Sequence, residues 1–584
     1  MPRLPTQIRR LFSAPTGGLL LLLAVGYALW PLPDALIYLA LAVLPSALLV
    51  SSGDRWLGRA ITLAGRVSRR PGLAVITVGL FALTVSASLS SRLGVRNPEV
   101  TDEFSYLLGA DTLIQGRLTN PPHPMWKHFE SIHIIHQPTY ASKYLPGQAA
   151  MLAAGRLIGR HPIVGVWLSV AMASAAVCWM LMAWVPARWA FLGGLLTILH
   201  PMFLQWSQSY WGGAVSMAGG ALIFGAVRRI IERGRARDAC ILGLGVAVLA
   251  NTRPYEGAVL GLVAGAALLA WMLKRERHSL GAQLRRVALP LAVIVALIVA
   301  WIGFYNLRVT GDPFRLPYLV HEQAYGIAPL FVFQSLGPEP DYNHKEIGDI
   351  HRGWELTDYL DQQSLKGFLI ACRYKIESLA RWNLQELAFM IPLAALPFAL
   401  ARDRWTRLAV AACIVSVAAL LPQTWLLPHY AAPIVGLIFA IILQSMRRLN
   451  AWRWRGRWAG RHILRAILGL SAAWLLFTWA NLPPVNRNTW NERRASMLEE
   501  LKRSGERHLV IVRYAPGHTW GEEWVYNEAD IEGAQVVWAR EMDAESNRNL
   551  REYFKARRAW LLEVGTEGAS LEEIRPPMHT DEHR

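Results

Sequence analysis

The feature that most limits this chain is a recurring one: apolar runs long enough to cross a bilayer, separated by short clusters of arginine. The stretch 164–185, VGVWLSVAMASAAVCWMLMAWV, carries no charge at all. In hydrocarbon every backbone N–H and C=O must be satisfied within the protein, which leaves helices and closed barrels. Runs of roughly 17–25 apolar residues select helices. On that criterion spans are expected near 16–31, 35–51, 72–91, 162–185, 189–204, 213–231, 239–252, 256–273, 287–305, 384–401, 406–421, 428–446 and 463–480, about thirteen in all. Charged residues make up only 17% of the chain, too few for a soluble protein of 584 residues with so many apolar runs. The expected fold class is therefore a polytopic α-helical membrane protein with extracytoplasmic loops and a small C-terminal α/β domain.

The net charge of +18 raises the question of nucleic acid. The basic residues answer it by position. Arg9 and Arg10 precede the first run, and Arg55, Arg59, Arg66, Arg69 and Arg70 follow the second. Further clusters lie at 228–237, 274–286, 402–407 and 447–465. With the spans as drawn, all six fall on one side, which is the cytoplasmic side by the positive-inside rule. The partner that this pattern implies is the lipid bilayer, and no nucleic acid is expected. The N-terminus has a basic flank and an apolar run but no small-residue cleavage site, and a second run follows at once, so it reads as a retained first span with a cytoplasmic N-terminus. Cys178, Cys240, Cys372 and Cys413 have no CxxC spacing and support neither a disulfide framework nor a zinc site.

The expected organisation follows. Residues 1–91 hold the first spans, 92–161 a large outer loop, 162–305 a central bundle, 306–383 a second large outer loop, 384–480 the last spans, and 481–584 an outer soluble domain. In that domain Leu509–Tyr514, Gln535–Ala539 and Trp560–Val564 read as strands and Asn549–Arg558 as a helix, an alternation that points to α/β structure.

The loop stretch VTDEFSYLLGADTLIQGRLTNPPHPMWKHFESIHIIHQPTYASKYLPGQ, residues 100–148, has a composition that membrane insertion does not require. Its acidic pair, Asp102 and Glu103, stands at the start of a helical pattern, FSYLLGADTLIQG. A carboxylate there serves as a general base, a metal ligand or a solvated helix start. His133 and His136 sit at i and i+3, but no third ligand is spaced to complete a metal site. In the outer turn Asn251–Gly257, Arg253 has Glu256 as its simplest partner, and an anion contact is the alternative. The turn QWSQSYWGG, Gln205–Gly213, presents Trp211 among interfacial aromatics that also suit stacking on a sugar ring. In the second loop His321, Glu322, His344, Glu346, Asp349 and His351 form another polar set, read either as solvated groups or as the wall of a substrate cleft.

An Asp-Glu pair after an early span, then a helix with Tyr106 and a Gly116-Arg117 end, then Lys143-Tyr144-Leu145-Pro146-Gly147, resembles the first outer loop of the C superfamily of glycosyltransferases, the group of protein O-mannosyltransferases and the lipid A aminoarabinose transferase. The resemblance covers roughly residues 95–160 and the gross plan. It implies a membrane glycosyltransferase of the inner (plasma) membrane that moves a sugar from a polyprenyl-phosphate donor to an extracytoplasmic glycan, lipid or protein acceptor, with inversion. A hydroxyl is a poor nucleophile, so a carboxylate must take its proton. By the resemblance that base is Asp102, with Glu103 as a supporting carboxylate. The leaving group is a lipid phosphate, which calls for cations. Lys143 is the family's match, although the family's Lys-Pro-Pro is Lys-Tyr-Leu-Pro-Gly here. Arg253, together with His429-Tyr430 at the outer start of a late span, completes the expected phosphate contacts. Tyr106, Tyr144, His321, Glu322 and Trp211 are expected to line the substrate cleft. No cofactor is assigned, and the resemblance leaves a divalent cation open. Two other readings remain at this level, a transporter or flippase of lipid-linked glycans and a non-enzymatic envelope scaffold. The near absence of charge within the spans favours chemistry at the membrane surface over translocation.

Overall fold

The computed structural model describes residues 62–273, 280–565 and 568–574, so the runs expected at 16–31 and 35–51 lie outside the described residues. Seven described helices are long and apolar enough to cross a membrane: Pro71–Leu93, Pro162–Trp184, Gly213–Arg233, Pro254–Leu273, Gly281–Thr310, Pro428–Asn450 and Ala459–Asn481. Several open on proline, whose missing N–H would be unpaired in a first turn anyway. The chain is an integral membrane protein by these helices.

Four of the expected runs take shorter or broken forms. Ala236–Ala250 has 15 residues and Arg404–Leu420 has 17. The run at 189–204 is a helix over Ala187–Leu195, a tight turn over Leu196–Leu199, and a separate helix Phe203–Gln208. Pro201 accounts for the break: it pushes His200 into extended backbone (φ −62°, ψ 130°). The run at 384–401 divides into Leu387–Leu393 and Leu396–Arg402, with Pro392 and Pro397 interrupting the hydrogen-bond ladder.

The segment 306–383, expected as a loop, is largely helical. It contains Pro317–Tyr325, Lys345–Asp349 continuing through a π turn into Leu356–Asp361, and Leu365–Leu384. The last of these is too polar to register as a span, and its buried face includes Lys375. The Lys375 ammonium donates to Gln362 Oε1 (2.6 Å), the Leu421 carbonyl (3.0 Å) and the Gln423 carbonyl (2.6 Å), which satisfies all three of its protons.

After helix Trp490–Arg503 comes a four-stranded sheet in the order Val536–Arg540, His508–Tyr514, Arg558–Gly565, Gly568–Glu573. The first three strands are parallel and the last is antiparallel. Helix Ala544–Tyr553, capped by Asp543, connects two of the parallel strands. The sheet does not keep its apolar core to itself. Phe104, Leu108, Phe129, Ile134 and Tyr140 from the segment 92–161 share one buried cluster with Trp524, Val537, Trp538 and Leu562. Phe104 lies flat on Tyr526, with ring centroids 4.1 Å apart. Buried Arg540 completes the joint. Its guanidinium donates to Glu523, to Glu346 (3.1 Å) and to the Glu130 carbonyl (2.7 Å), so the sheet, the second loop and the first loop meet on one cation.

Candidate active site

Helix Thr101–Ile114 follows the C-terminal end of Pro71–Leu93 and brings Asp102 and Glu103 into its first turn, where the helix dipole favours anions. Consecutive helical residues point about 100° apart, and the two carboxylates have different surroundings. Glu103 is buried and turns back on the backbone. Its Oε2 accepts from the N–H groups of Glu99 (2.8 Å) and Val100 (3.1 Å), and its Oε1 from that of Tyr210 (2.7 Å). Burial raises its carboxyl above the ordinary range, and these three donors work against that. Glu103 thereby fastens the helix start to the Gln205–Gly213 turn. The support expected from it reaches the site through the backbone.

Asp102 faces a hairpin. The two-residue strands Ile134–Ile135 and Ala141–Ser142 pair antiparallel, with Ile134 opposite Ser142. That register puts His133, just before the first strand, beside Lys143 and Tyr144, just after the second. Ser105 pins the arrangement from the helix, donating to the His133 carbonyl (2.8 Å) and meeting the Ser142 hydroxyl (2.7 Å). His133 has φ 67°, in the left-handed region that non-glycine residues seldom occupy. Such a conformation persists only where neighbours enforce it. Here it aims His133 Nδ1 at Asp102 Oδ1, 2.8 Å away, and the Tyr144 hydroxyl donates to the same oxygen. Burial pushes the Asp102 carboxyl up, but the His133 imidazole, the Tyr144 hydroxyl and the Lys143 charge outweigh it and hold it well below the ordinary carboxylate range. Burial and Lys143 lower His133 despite Asp102, so the imidazole is neutral near pH 7, with Nδ1–H directed at an ionised carboxylate. The Asp102 side chain keeps 17% of its exposure, enough to be reached.

Lys143 is not a free cation. Its ammonium lies 3.5 Å from Glu322 Oε1 and 4.9 Å from the centre of the Tyr318 ring. His321 stands 3.5 Å from the same Glu322 oxygen, and Lys143 holds Glu322 ionised against the cost of burial. Arg253 is the contrasting case. Its expected pair with Glu256 is not an ion pair: among the described residues no carboxylate comes within salt-bridge distance of this guanidinium, which lies over the Tyr430 ring at 4.3 Å. The turn that carries Arg253 is bonded to the hairpin, since the Gly147 N–H donates to the Asn251 carbonyl (2.8 Å). A Cβ at position 147 would stand 2.4 Å from the Thr252 methyl and 2.7 Å from the Asn251 oxygen, so only glycine permits this approach.

Aromatic rings fill the space between base and cation. Tyr106 stacks on Tyr144 (4.6 Å), and both Tyr106 and Tyr430 feel the charges of Asp102 and Arg253 together. His429 packs on Trp211 (4.9 Å), and Gln148 ties that turn down by donating to the Tyr210 and Trp211 carbonyls (2.9 and 3.3 Å). The structure thus links Asp102, Tyr106, Lys143, Tyr144, Trp211, Arg253, His321, Glu322, His429 and Tyr430 through one connected set of ring contacts, hydrogen bonds and charge interactions. His344 and Glu346 go elsewhere, to the Lys127 carbonyl and to Arg540. His136 is buried, its pKa pushed down to about 3 by burial and Arg540, and no described group of three or more His, Cys, Asp and Glu side chains could hold a metal ion. Sequence reasoning missed two participants. The spacing of His133 from His136 suggests a metal ligand, whereas its partner in the structure is Asp102. Tyr318 passed unnoticed, although its i, i+4 spacing from Glu322 puts both on one helical face.

No family model matches the chain, and no curated protein does. Solved structures do. The chain is similar to ArnT from Cupriavidus metallidurans bound to undecaprenyl phosphate, with 12% identity over 84% of this chain and 92% of that one and a TM-score of 0.48. The same protein in the apo state gives 14% identity, 83% and 92% coverage and a TM-score of 0.46. The Archaeoglobus fulgidus oligosaccharyltransferase in complex with zinc and sulfate gives 12% identity, 82% and 67% coverage and a TM-score of 0.44.

Proposed function

We propose that this protein is a membrane glycosyltransferase that moves a sugar from a polyprenyl-phosphate donor to an acceptor hydroxyl outside the cytoplasm, with inversion. One observation carries the reading. An ionised, reachable carboxylate, Asp102, and a cation with no carboxylate at salt-bridge distance, Arg253, both act on one cluster of tyrosine rings, which we read as the wall of a substrate chamber. Glu256 acts on this guanidinium from beyond salt-bridge distance, so a direct contact with an anion is still open to it, and an anionic ligand would supply one. A phosphate ester fits it.

In the proposed reaction the acceptor oxygen attacks the anomeric carbon from the face opposite the phosphate. The new C–O bond forms as the bond to the phosphate oxygen breaks, and the bonding pair leaves with the lipid phosphate. The acceptor's proton goes to Asp102 Oδ. Arg253 meets the charge that develops on the leaving group, where a preorganised cation is worth most. Lys143, already shared with Glu322, adds to the positive field and orients Glu322 toward the substrate. The carboxylate inventory supports single displacement: Glu103 has both oxygens committed to backbone donors and Glu322 is paired with Lys143, which leaves Asp102, among the described site residues, as the carboxylate to serve as base. A carboxylate held this far below its usual range is a weak base at rest. Proton uptake therefore comes late, once the breaking glycosyl bond has acidified the attacking hydroxyl.

The 2.8 Å contact between Asp102 and His133 favours a second reading of the base, in which His133 Nε2 takes the proton while Asp102 fixes the tautomer and stabilises the imidazolium. The test is a screen of polyprenyl-phosphate sugars with the purified full chain in detergent, where no gradient exists to drive a transporter. Asp102→Asn is expected to abolish transfer at an unchanged level in the membrane. Wild-type transfer by that variant sinks the assignment of Asp102, and no turnover of any donor by the wild type sinks the enzyme.

A further inference from the structure

A second polar recess lies at the far end of helix Thr101–Ile114 from Asp102. The helix stops at Gly116 (φ 71°), and the chain turns so that residues 116–121 run beside Tyr140 and the outer end of helix Leu289–Thr310. The groove there is lined by Arg117, Thr119, Asn120, Thr139, Phe304 and Arg308, opens to solvent and has a volume of about 640 Å³. Thr139 anchors it by donating to the Val309 carbonyl (2.7 Å).

Three of its buried polar atoms have no hydrogen-bond partner: Arg117 Nε, Thr119 Oγ1 and Asn120 Oδ1. Asn120 is only 2% exposed, and its amide nitrogen is already spent on the Thr112 hydroxyl and the Tyr140 carbonyl. The oxygen is therefore held in place with nothing to accept. A buried acceptor left unmade costs on the order of 1–3 kcal/mol, which makes an idle one informative. Neither arginine has an ion-pair partner among the described residues, so the groove carries two uncompensated positive charges beside one fixed acceptor and one free hydroxyl. The helix that forms its wall is largely bare along its length, and Phe304 and Leu307 are exposed beside Arg308, which puts the groove where an apolar surface gives way to polar groups.

We infer that this groove binds a hydroxylated phosphate ester: the two arginines take the phosphate and Asn120 Oδ1 accepts from a neighbouring hydroxyl. The exposed Phe304 and Leu307 favour an ester that carries a lipid chain. Phosphate alone leaves the acceptor idle, and a neutral glycan leaves both arginines uncompensated. The site is separate from the chamber at Asp102 and does not depend on the reading of that chamber.

The experiment is calorimetric titration of the full chain, in uncharged detergent, with dihexanoyl phosphatidylglycerol and with glycerophosphoglycerol, which offer the same phosphodiester headgroup with and without acyl chains. Each is repeated on the double variant Arg117→Gln/Arg308→Gln and on Thr119→Glu, which adds a like charge to the rim without touching either arginine. Saturable binding of either probe that weakens at least tenfold in both variants supports the site. Tighter binding of the lipid identifies a membrane headgroup as the occupant, and equal binding a soluble ester. No binding of either probe to the wild type, or binding that both variants keep, overturns the proposal. Arg253→Gln, which alters the other chamber, is expected to leave this binding unchanged.

Discussion

Replacing Gly147 by alanine tests whether base and phosphate cation must be held in register. The new methyl would stand 2.4 Å from the Thr252 methyl and 2.7 Å from the Asn251 carbonyl oxygen, against an ordinary contact of 3.4–4 Å. The hairpin segment with Lys143 and Tyr144 must then part from the turn with Arg253 by about 1 Å. Overpacking of this kind costs about 1–3 kcal/mol of stability, which a chain of this size tolerates. A displacement of 1 Å between groups that act on one substrate costs about 100-fold in rate. The assay is donor-dependent transfer at saturating acceptor, with affinity for polyprenyl phosphate measured alongside. Both are expected to fall while the protein stays folded. Adding Thr252→Ser removes the nearer clash and keeps the hydroxyl that bonds the Val248 carbonyl, but it leaves the backbone oxygen at 2.7 Å. Rescue should therefore be partial. Unchanged turnover by Gly147→Ala refutes the need for this joint, and full rescue by Thr252→Ser refutes the part assigned to Asn251.

Other outcomes are expected from the same geometry. Arg253→Gln should weaken polyprenyl phosphate binding about 100-fold, the roughly 3 kcal/mol of a lost charge-assisted contact, measured by titration in detergent; a change under threefold contradicts the phosphate role. Glu103→Gln should lower the melting temperature, because two well-placed amide protons cannot replace the lost acceptor capacity for the N–H groups of Glu99, Val100 and Tyr210, at about 1–3 kcal/mol for each bond lost, whereas Asp102→Asn should leave it nearly unchanged. For the pH dependence, Asp102 is depressed in the folded protein, so its contribution to stability is present above its unfolded value near about 4 and is lost as pH falls through the lower folded value. Transfer should correspondingly stay level from about pH 8 to 5 with Asp102 as base. His133→Asn removes a group that holds Asp102 down, so the acid limb moves to higher pH if Asp102 is the base, and transfer disappears if His133 is. Arg540→Ala should loosen the outer domain by about 3–5 kcal/mol, since Glu523 is left charged and buried, and limited proteolysis should then release it; Arg540→Met with Glu523→Gln should recover part of that loss.

The long uncharged runs were legible because a bilayer imposes one length and one polarity on whatever crosses it. Where proline intervenes, at Pro201, Pro392 and Pro397, the run stays apolar but the helix does not stay whole, and hydropathy alone does not register the difference. Helix Leu365–Leu384 was missed for the opposite reason, because its polar side chains conceal a face that packs through Lys375. Within the site, residue types pointed to Asp102, Lys143 and Arg253. Which cation is neutralised and which is free was not readable, because Glu322 lies 179 residues from Lys143 while Glu256 lies three from Arg253. Proximity along the chain favoured the pair that does not form. The division of labour between Asp102 and Glu103 was equally hidden, since it depends on the Tyr210 amide, supplied by a distant turn.

The core shared by the segment 92–161 and the C-terminal sheet has a consequence for the order of assembly. The Tyr526 hydroxyl bonds the Ile132 carbonyl, 394 residues upstream. Translation at about 5–20 residues per second puts the two roughly 20–80 s apart. During that interval helix Thr101–Ile114 has emerged with Phe104 and Leu108 uncovered, and the hairpin that aims His133 lacks its backing. A chain cut short before residue 500 can insert every span and still leave those side chains bare. Under the proposed function, the site at Asp102 is then complete only once residues 490–574 have joined that core, and a copy without them is expected to be inactive.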